Sequence, residues 1–236
     1  MGVGRSLLAA LLAAVSLTAA CGGSKHDPAD GGGGAGGQDA SDAGSDAGPT
    51  GCHLGFLGDP QKDPELRVVA LGPDGTSSPV NDGDQVALIF PIQGGRVVFA
   101  GVQATNVAAC GATLAGAIRD ETSMQVRLDD RTINLVPSGD GWGGSVDADT
   151  SSFSNIPMCP NQWSDTDIFG TEYELIVSIT DREQRTVTKT LKVTPYCAEP
   201  ENEAQCRCIC KGGYVLGESC DGDAGTSDAG SGDAGG

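Results

Sequence analysis

Residues 171–197, TEYELIVSITDREQRTVTKTLKVTPYC, decide the fold. Tyr173, Leu175, Val177 and Ile179 alternate with Glu174, Ser178 and Thr180, a period of two that belongs to a half-buried strand. Ile176 is the one apolar residue on the polar side. The polar stretch 181–185 reverses the chain, and Val187, Leu191 and Val193 then alternate with Thr186, Thr188, Thr190 and Lys192. Lys189 is the odd residue of the apolar side. Two alternating, β-branched runs joined by a short charged turn predict an antiparallel hairpin. A hairpin cannot bury its apolar face alone, so the preceding chain must supply a second layer.

The chain before it reads as further strands. Apolar or alternating runs at 66–71, 85–90, 96–104, 112–119, 124–128 and 131–136 are separated by turn-forming residues, among them Pro73-Asp74-Gly75, Gln93-Gly94-Gly95 and Asp129-Asp130. Residues 137–163 are rich in Gly, Ser and Asp and read as a long loop covering one end or side of the domain. No segment carries a helical stripe of period 3.6, and Gly111 and Gly116 argue against a helix in the Ala-rich stretch 104–117. About eight short strands at close spacing predict an all-β antiparallel sandwich.

The pattern Tyr173-x-Leu175-x-Val177-x-Ile179-Thr180-Asp181, followed by Arg185-Thr186-Val187 and Leu191-x-Val193, resembles the last two strands of bacterial immunoglobulin-like and PKD-like domains. The resemblance implies an immunoglobulin-like β-sandwich, here over residues 51–197, and carries no activity with it.

The front of the chain gives an address. Residues 1–20 hold one positive charge at Arg5, an apolar run from Leu7 to Leu17 and the small pair Ala19-Ala20, the layout of a secretory signal. Leu17-Thr18-Ala19-Ala20-Cys21 resembles the lipobox of bacterial lipoproteins, with Thr18 where that pattern prefers leucine. The resemblance implies that Cys21 carries the lipid. Cysteine parity points the same way: the chain has nine cysteines, an odd number, and using Cys21 otherwise leaves eight for disulfides in an oxidising compartment. Residues 21–50 are a Gly/Ala/Ser/Asp-rich tether expected to be disordered, with a root-mean-square span of about 30 Å. Residues 221–236 repeat that composition as a second disordered, acidic tail. The expected setting is the outer membrane or cell surface, with the membrane as one partner through Cys21 and a protein or polysaccharide as another. The whole layout resembles surface lipoproteins of the myxobacterial kind.

The net charge of −18 argues against nucleic acid as a partner. Residues 51–217 keep 22 acids against 12 bases, so the folded part is itself acidic.

Cys197, Cys206, Cys208, Cys210 and Cys220 crowd into a hook at 198–220 and its threshold. Cys208-Ile209-Cys210-Lys211-Gly212-Gly213-Tyr214, closed by Cys220, resembles the C-terminal half of EGF-like modules, which implies a bond between Cys210 and Cys220. Cys110 and Cys159 each stand where a strand series gives way to a loop, and pairing them would staple that loop to the domain. Cys52, Cys197, Cys206 and Cys208 remain. In an extended chain Cys206 and Cys208 point the same way, so one should reach Cys52 and the other Cys197. Zinc on the cysteines is disfavoured, because structural zinc sites draw on C-x₂₋₄-C pairs.

Catalytic motifs are absent: no G-x-S-x-G, no H-E-x-x-H, no phosphate loop and no dinucleotide fingerprint. No cofactor and no enzymatic activity are expected. A Ser–His–Asp triad would have to be built on His53, which no motif surrounds. The acid pairs Asp129/Asp130, Asp147/Asp149 and Asp165/Asp167 read as turn residues. The expected function is therefore a non-catalytic, lipid-anchored module with a structural or adhesive role. The alternative is a calcium- or carbohydrate-binding surface in the 137–163 loop, using Asp147, Asp149, Ser151 and the aromatic residues Trp142, Phe153 and Trp163.

Overall fold

A computed structural model describes residues 53–220. The signal-like stretch, Cys21, the tether, Cys52 and the tail from Asp221 lie outside the described residues.

The fold is an all-β sandwich of two main sheets. The strands in chain order are β1 (Phe56–Leu57), β2 (Glu65–Leu71), β3 (Ser77–Pro79), β4 (Asp84–Leu88), β5 (Arg96–Thr105), β6 (Val107–Ala108) and β7 (Ala112–Arg119). They continue as β8 (Val126–Ile133), β9 (Val136–Gly139), β10 (Trp142–Gly144), β11 (Ser154–Cys159), β12 (Tyr173–Thr180) and β13 (Thr186–Cys197), and a helix α1 (Glu203–Ile209) follows. The first sheet runs β3-β2-β5-β10-β9, with β11 also on β5, and the second runs β4-β13-β12-β7-β8. A small β1-β6 ladder stands apart. All pairings are antiparallel except β13 with β4.

The terminal hairpin forms as its alternation requires. Tyr173, Leu175, Val177 and Ile179 are buried, opposite Val193, Leu191, Lys189 and Val187 respectively. Asp181 closes the turn: its carboxylate accepts from the backbone N–H of Glu183 (2.9 Å) and Arg185 (3.0 Å) and from the Arg185 side chain (2.6 Å). It also accepts from Ala108 N–H (3.3 Å), which ties the turn to β6.

β5 organises the other sheet. Its residues 100–105 pair with β2, its residues 103–105 pair on the opposite edge with β10, and its residues 96–100 pair with β11. Val98, Ala100, Val102 and Ala104 face the interior, where they join Leu114, Ile118, Tyr173, Leu175 and Val177 of the second sheet. Val97 and Phe99 face the other way, into a second apolar cluster with Val69, Leu71, Ala87, Ile89 and Phe153. The strand is thus covered on both sides, which is why its sequence is a continuous apolar run. Gly101 makes room for that cover: a Cβ there would lie 2.6 Å from the Phe153 ring.

Two expectations about the strands need correction. Residues 137–163 are not one loop, since β10, β11 and most of β9 fall within them. The strand signal is hidden because Gly143 and Gly144 carry no side chain to alternate. Gly144 can carry none, since a Cβ would meet the Val102 carbonyl oxygen at 2.3 Å. Asp129-Asp130 is not a turn but the middle of β8. Asp129 is tolerated there because its carboxylate accepts from Arg131 Nε (3.0 Å) and from Asn155 N–H (2.7 Å) on β11.

The hook is helical, in place of the EGF-like hairpin that the cysteine pattern resembled. Pro200 opens a 3₁₀ turn at Pro200–Asn202 that leads into α1, and Glu203 and Arg207 pair one helical turn apart. Cys206 and Cys210, four residues apart, then share one buried face. Cys197 pairs with Cys206, Cys159 with Cys210, and Cys208 with Cys220. The expected Cys210–Cys220 and Cys110–Cys159 bonds are therefore replaced, and Cys208 is not the partner of Cys52. Helical geometry is the cause: it turns Cys210 inward to β11 and leaves Cys208 on the side that Cys220 can reach. Cys110 is disulfide-bonded as well.

Candidate functional site

The residues singled out in the sequence do not assemble into one site. His53 is exposed. Asp147 accepts from Ser77 N–H (2.9 Å), and Asp149 caps the 3₁₀ turn Thr150–Ser152 by accepting from Ser151 N–H (3.1 Å) and Oγ (2.6 Å). Both carboxylates hold loops together. Asp129 and Asp130 point to opposite faces of β8, as neighbours on a strand must. Asp167 accepts from Gly212 N–H (2.8 Å) and docks the chain after α1. Among the described residues, no group of three or more His, Cys, Asp or Glu side chains could hold a metal ion. Cys206, Cys208 and Cys210 are all in disulfides and offer no thiolate.

The three aromatic residues of 137–163 go separate ways. Phe153 is fully buried over Gly101. Trp163 is core: its ring centroid lies 5.5 Å from that of Tyr173, and its Nε1 donates to Met158 O (2.9 Å). Trp142 is half-buried, with the Arg67 guanidinium 4.1 Å from its ring centroid.

Two buried polar arrangements stand out. Tyr173 Oη lies 3.2 Å from Ser164 Oγ, which also hydrogen-bonds Asp120 (3.2 Å). Burial raises the Tyr173 phenol above its ordinary value, outweighing the hydrogen bonds from Ser164 and Thr166. This chain of hydroxyls links the Asp120 turn, the segment before β12 and the core. The second is Arg96, whose side chain is fully buried at the head of β5. It pairs with Glu199 and donates to Gln205 Oε1 (2.8 Å) and Asn202 O (3.2 Å), so it fastens the hook to the first sheet. Its guanidinium carbon also lies 5.0 Å from the Phe90 ring centroid. The sequence signal was a lone arginine heading an apolar run, Arg96-Val97-Val98-Phe99.

What the fold does bring together is a groove of about 390 Å³ on the outer side of the first sheet. Leu71, Ile89 and Phe99 form its floor, continuous with the second apolar cluster. Phe90 and Ile92 form one lip, 46 % and 104 % exposed. The turn around Asp74 forms the opposite wall, with Ala148 and Thr150 beside it. Thr76 N–H and Oγ1 donate to the Asp74 carboxylate and hold it below the usual aspartate range. In the sequence these residues belong to strand ends and to the turns Pro73-Asp74-Gly75 and Gln93-Gly94-Gly95, and the signal of a groove is Ile92 next to the second of these turns.

No family model matches the chain, and no curated protein matches it.

Proposed function

We propose that this chain is a non-catalytic interaction module, lipid-anchored through Cys21 on the outer membrane or cell surface, with an immunoglobulin-like sandwich as its working part. Cysteine parity carries the reading. Nine cysteines cannot all pair within one chain, and Cys21 stands directly behind a signal-like stretch. Disulfides at all seven described cysteines fit an exported, oxidised domain. The acidic, loop-tied carboxylates and the exposed His53 give no support to hydrolysis, whereas an open apolar groove suits binding.

The anchor has a direct test. In a bacterial host that processes lipoproteins, the full chain should incorporate a palmitate analogue and sediment with membranes. Cys21→Ser should lose the label and appear in the soluble fraction. A Cys21→Ser protein that is still labelled and still membrane-bound would refute the anchor.

A further inference from the structure

The groove on the first sheet says what kind of partner the module takes. Its floor is aliphatic and aromatic, and its volume of about 390 Å³ falls in the roughly 300–1,000 Å³ range of ligand pockets. Ile92 stands wholly in solvent at its lip. Isolated exposed isoleucines are ordinary, but this one continues a concave apolar surface. Contrast Val126 and Leu128, which are exposed on β8 and share one face of that strand with the polar Asp130 and Thr132.

The charge that lines the groove is acidic, and the Arg131 guanidinium, which donates to Thr150 O beside it (3.4 Å), is paired with Asp129. Among the described residues, Asp74 is the one ionisable side chain that lines the groove. No described lysine, arginine or histidine lines it. The base that touches its lip, Arg96, is fully buried behind Phe90 and engaged by Glu199, so it does not offset Asp74. A second copy of this chain would bring a like-charged surface, with 22 acids against 12 bases over residues 51–217. A sugar would need several converging polar groups, and this wall is mostly hydrocarbon and backbone.

We propose that the groove binds a segment of a partner polypeptide that lays aliphatic side chains on Leu71, Ile89 and Phe99 and sets a lysine or arginine beside Asp74. The inference deepens the interaction-module reading, on which it rests, and is independent of the anchor.

Fluorescence anisotropy can read it, with the full chain in nanodiscs of zwitterionic lipid. The probe is a labelled eight-residue peptide alternating leucine and lysine, with leucine–glutamate and serine–lysine peptides beside it. The leucine–lysine peptide should bind at least about tenfold more tightly than either of the others. Ile92→Ser, a change at a fully exposed tip, should weaken it about tenfold. Asp74→Asn should weaken it severalfold and flatten its salt dependence. Leu128→Ser, on the other sheet, should bind as the unaltered chain does. Equal binding by Ile92→Ser would reduce the effect to diffuse charge attraction and overturn the proposal. So would serine–lysine binding as tight as leucine–lysine, or displacement of the peptide by a neutral oligosaccharide. Concentration-dependent self-association that Ile92→Ser abolishes would assign the groove to a second copy instead. Membrane release by Cys21→Ser reads the anchor alone and anisotropy reads the groove alone, so either reading can fail without the other.

Discussion

In β12 every second side chain is buried, whereas in β5 the burial is unbroken from Arg96 to Val102. The terminal hairpin of the second sheet keeps one face in water, so β12 announces itself by alternation. The first sheet is covered on its outer face as well, by Phe153 above Gly101 and by Ile89 and Ala87 beside Val97 and Phe99. Where that cover stops, the groove begins. The difference shows why one sheet is a wall and the other can offer a binding surface: only a strand buried on both faces leaves an apolar floor outside the main core.

Paired truncations on the two strands would break this contrast most visibly. On β5, Phe99→Ala should cost about 3–5 kcal/mol and its neighbour Val98→Ala about 2 kcal/mol, because both sides are packed. On β12, Val177→Ala should cost about 2 kcal/mol while its neighbour Ser178→Ala stays within about 0.5 kcal/mol. Denaturant midpoints measure all four. A Phe99→Ala as mild as Ser178→Ala would mean that the outer cluster contributes nothing.

The polar anchor of β5 gives the next effect. Glu199→Ala leaves the Arg96 guanidinium buried with no carboxylate, and should cost about 2–4 kcal/mol. Arg96→Met should cost less, since it removes the buried charge and leaves Glu199, whose side chain is 17 % exposed, able to reach water. Thermal or denaturant unfolding decides. If Arg96→Met proves the more damaging change, the arginine acts through its packing and hydrogen bonds to the hook.

The hairpin of the second sheet gives the smallest effect, read as a pH profile. Burial alone would raise the Asp181 carboxyl. The N–H groups of Arg185 and Ala108 and the Arg185 guanidinium outweigh it and hold the group below its ordinary range. A depressed folded-state pKa stabilises the fold at pH values above the unfolded one. That contribution should be complete above about pH 4 and lost as pH falls through the folded value. Asp181→Asn should therefore unfold along a shallower acid limb. An unchanged limb in acid titrations followed by circular dichroism would show that the turn is not held by this charge.

Legibility followed the same divide. Tyr173 to Val193 could be read because each position has one simple environment, core or water. Asp129-Asp130 was misread because its partner, Asn155 N–H, is distant in sequence and belongs to the opposite sheet. Residues 143–144 gave no strand signal because close backbone approach had removed their side chains. The groove was the least legible feature. Its walls come from separate turns around Asp74, Ile92 and Ala148, and each alone looks like an ordinary reversal.

By itself, the sequence determined the all-β sandwich and the terminal hairpin of its second sheet, because alternation with period two is a local consequence of having one wet face. Tertiary structure alone decided the cysteine partners, the helix that presents them, the burial of Arg96 and the existence of the groove. Each of these depends on which distant segments come to lie side by side. α1 has only seven residues, too short for a helix to be stable in water on its own. It is stabilised by the contacts that Cys206, Ile209 and Cys210 make with the core, and by the disulfides from Cys206 to Cys197 and from Cys210 to Cys159.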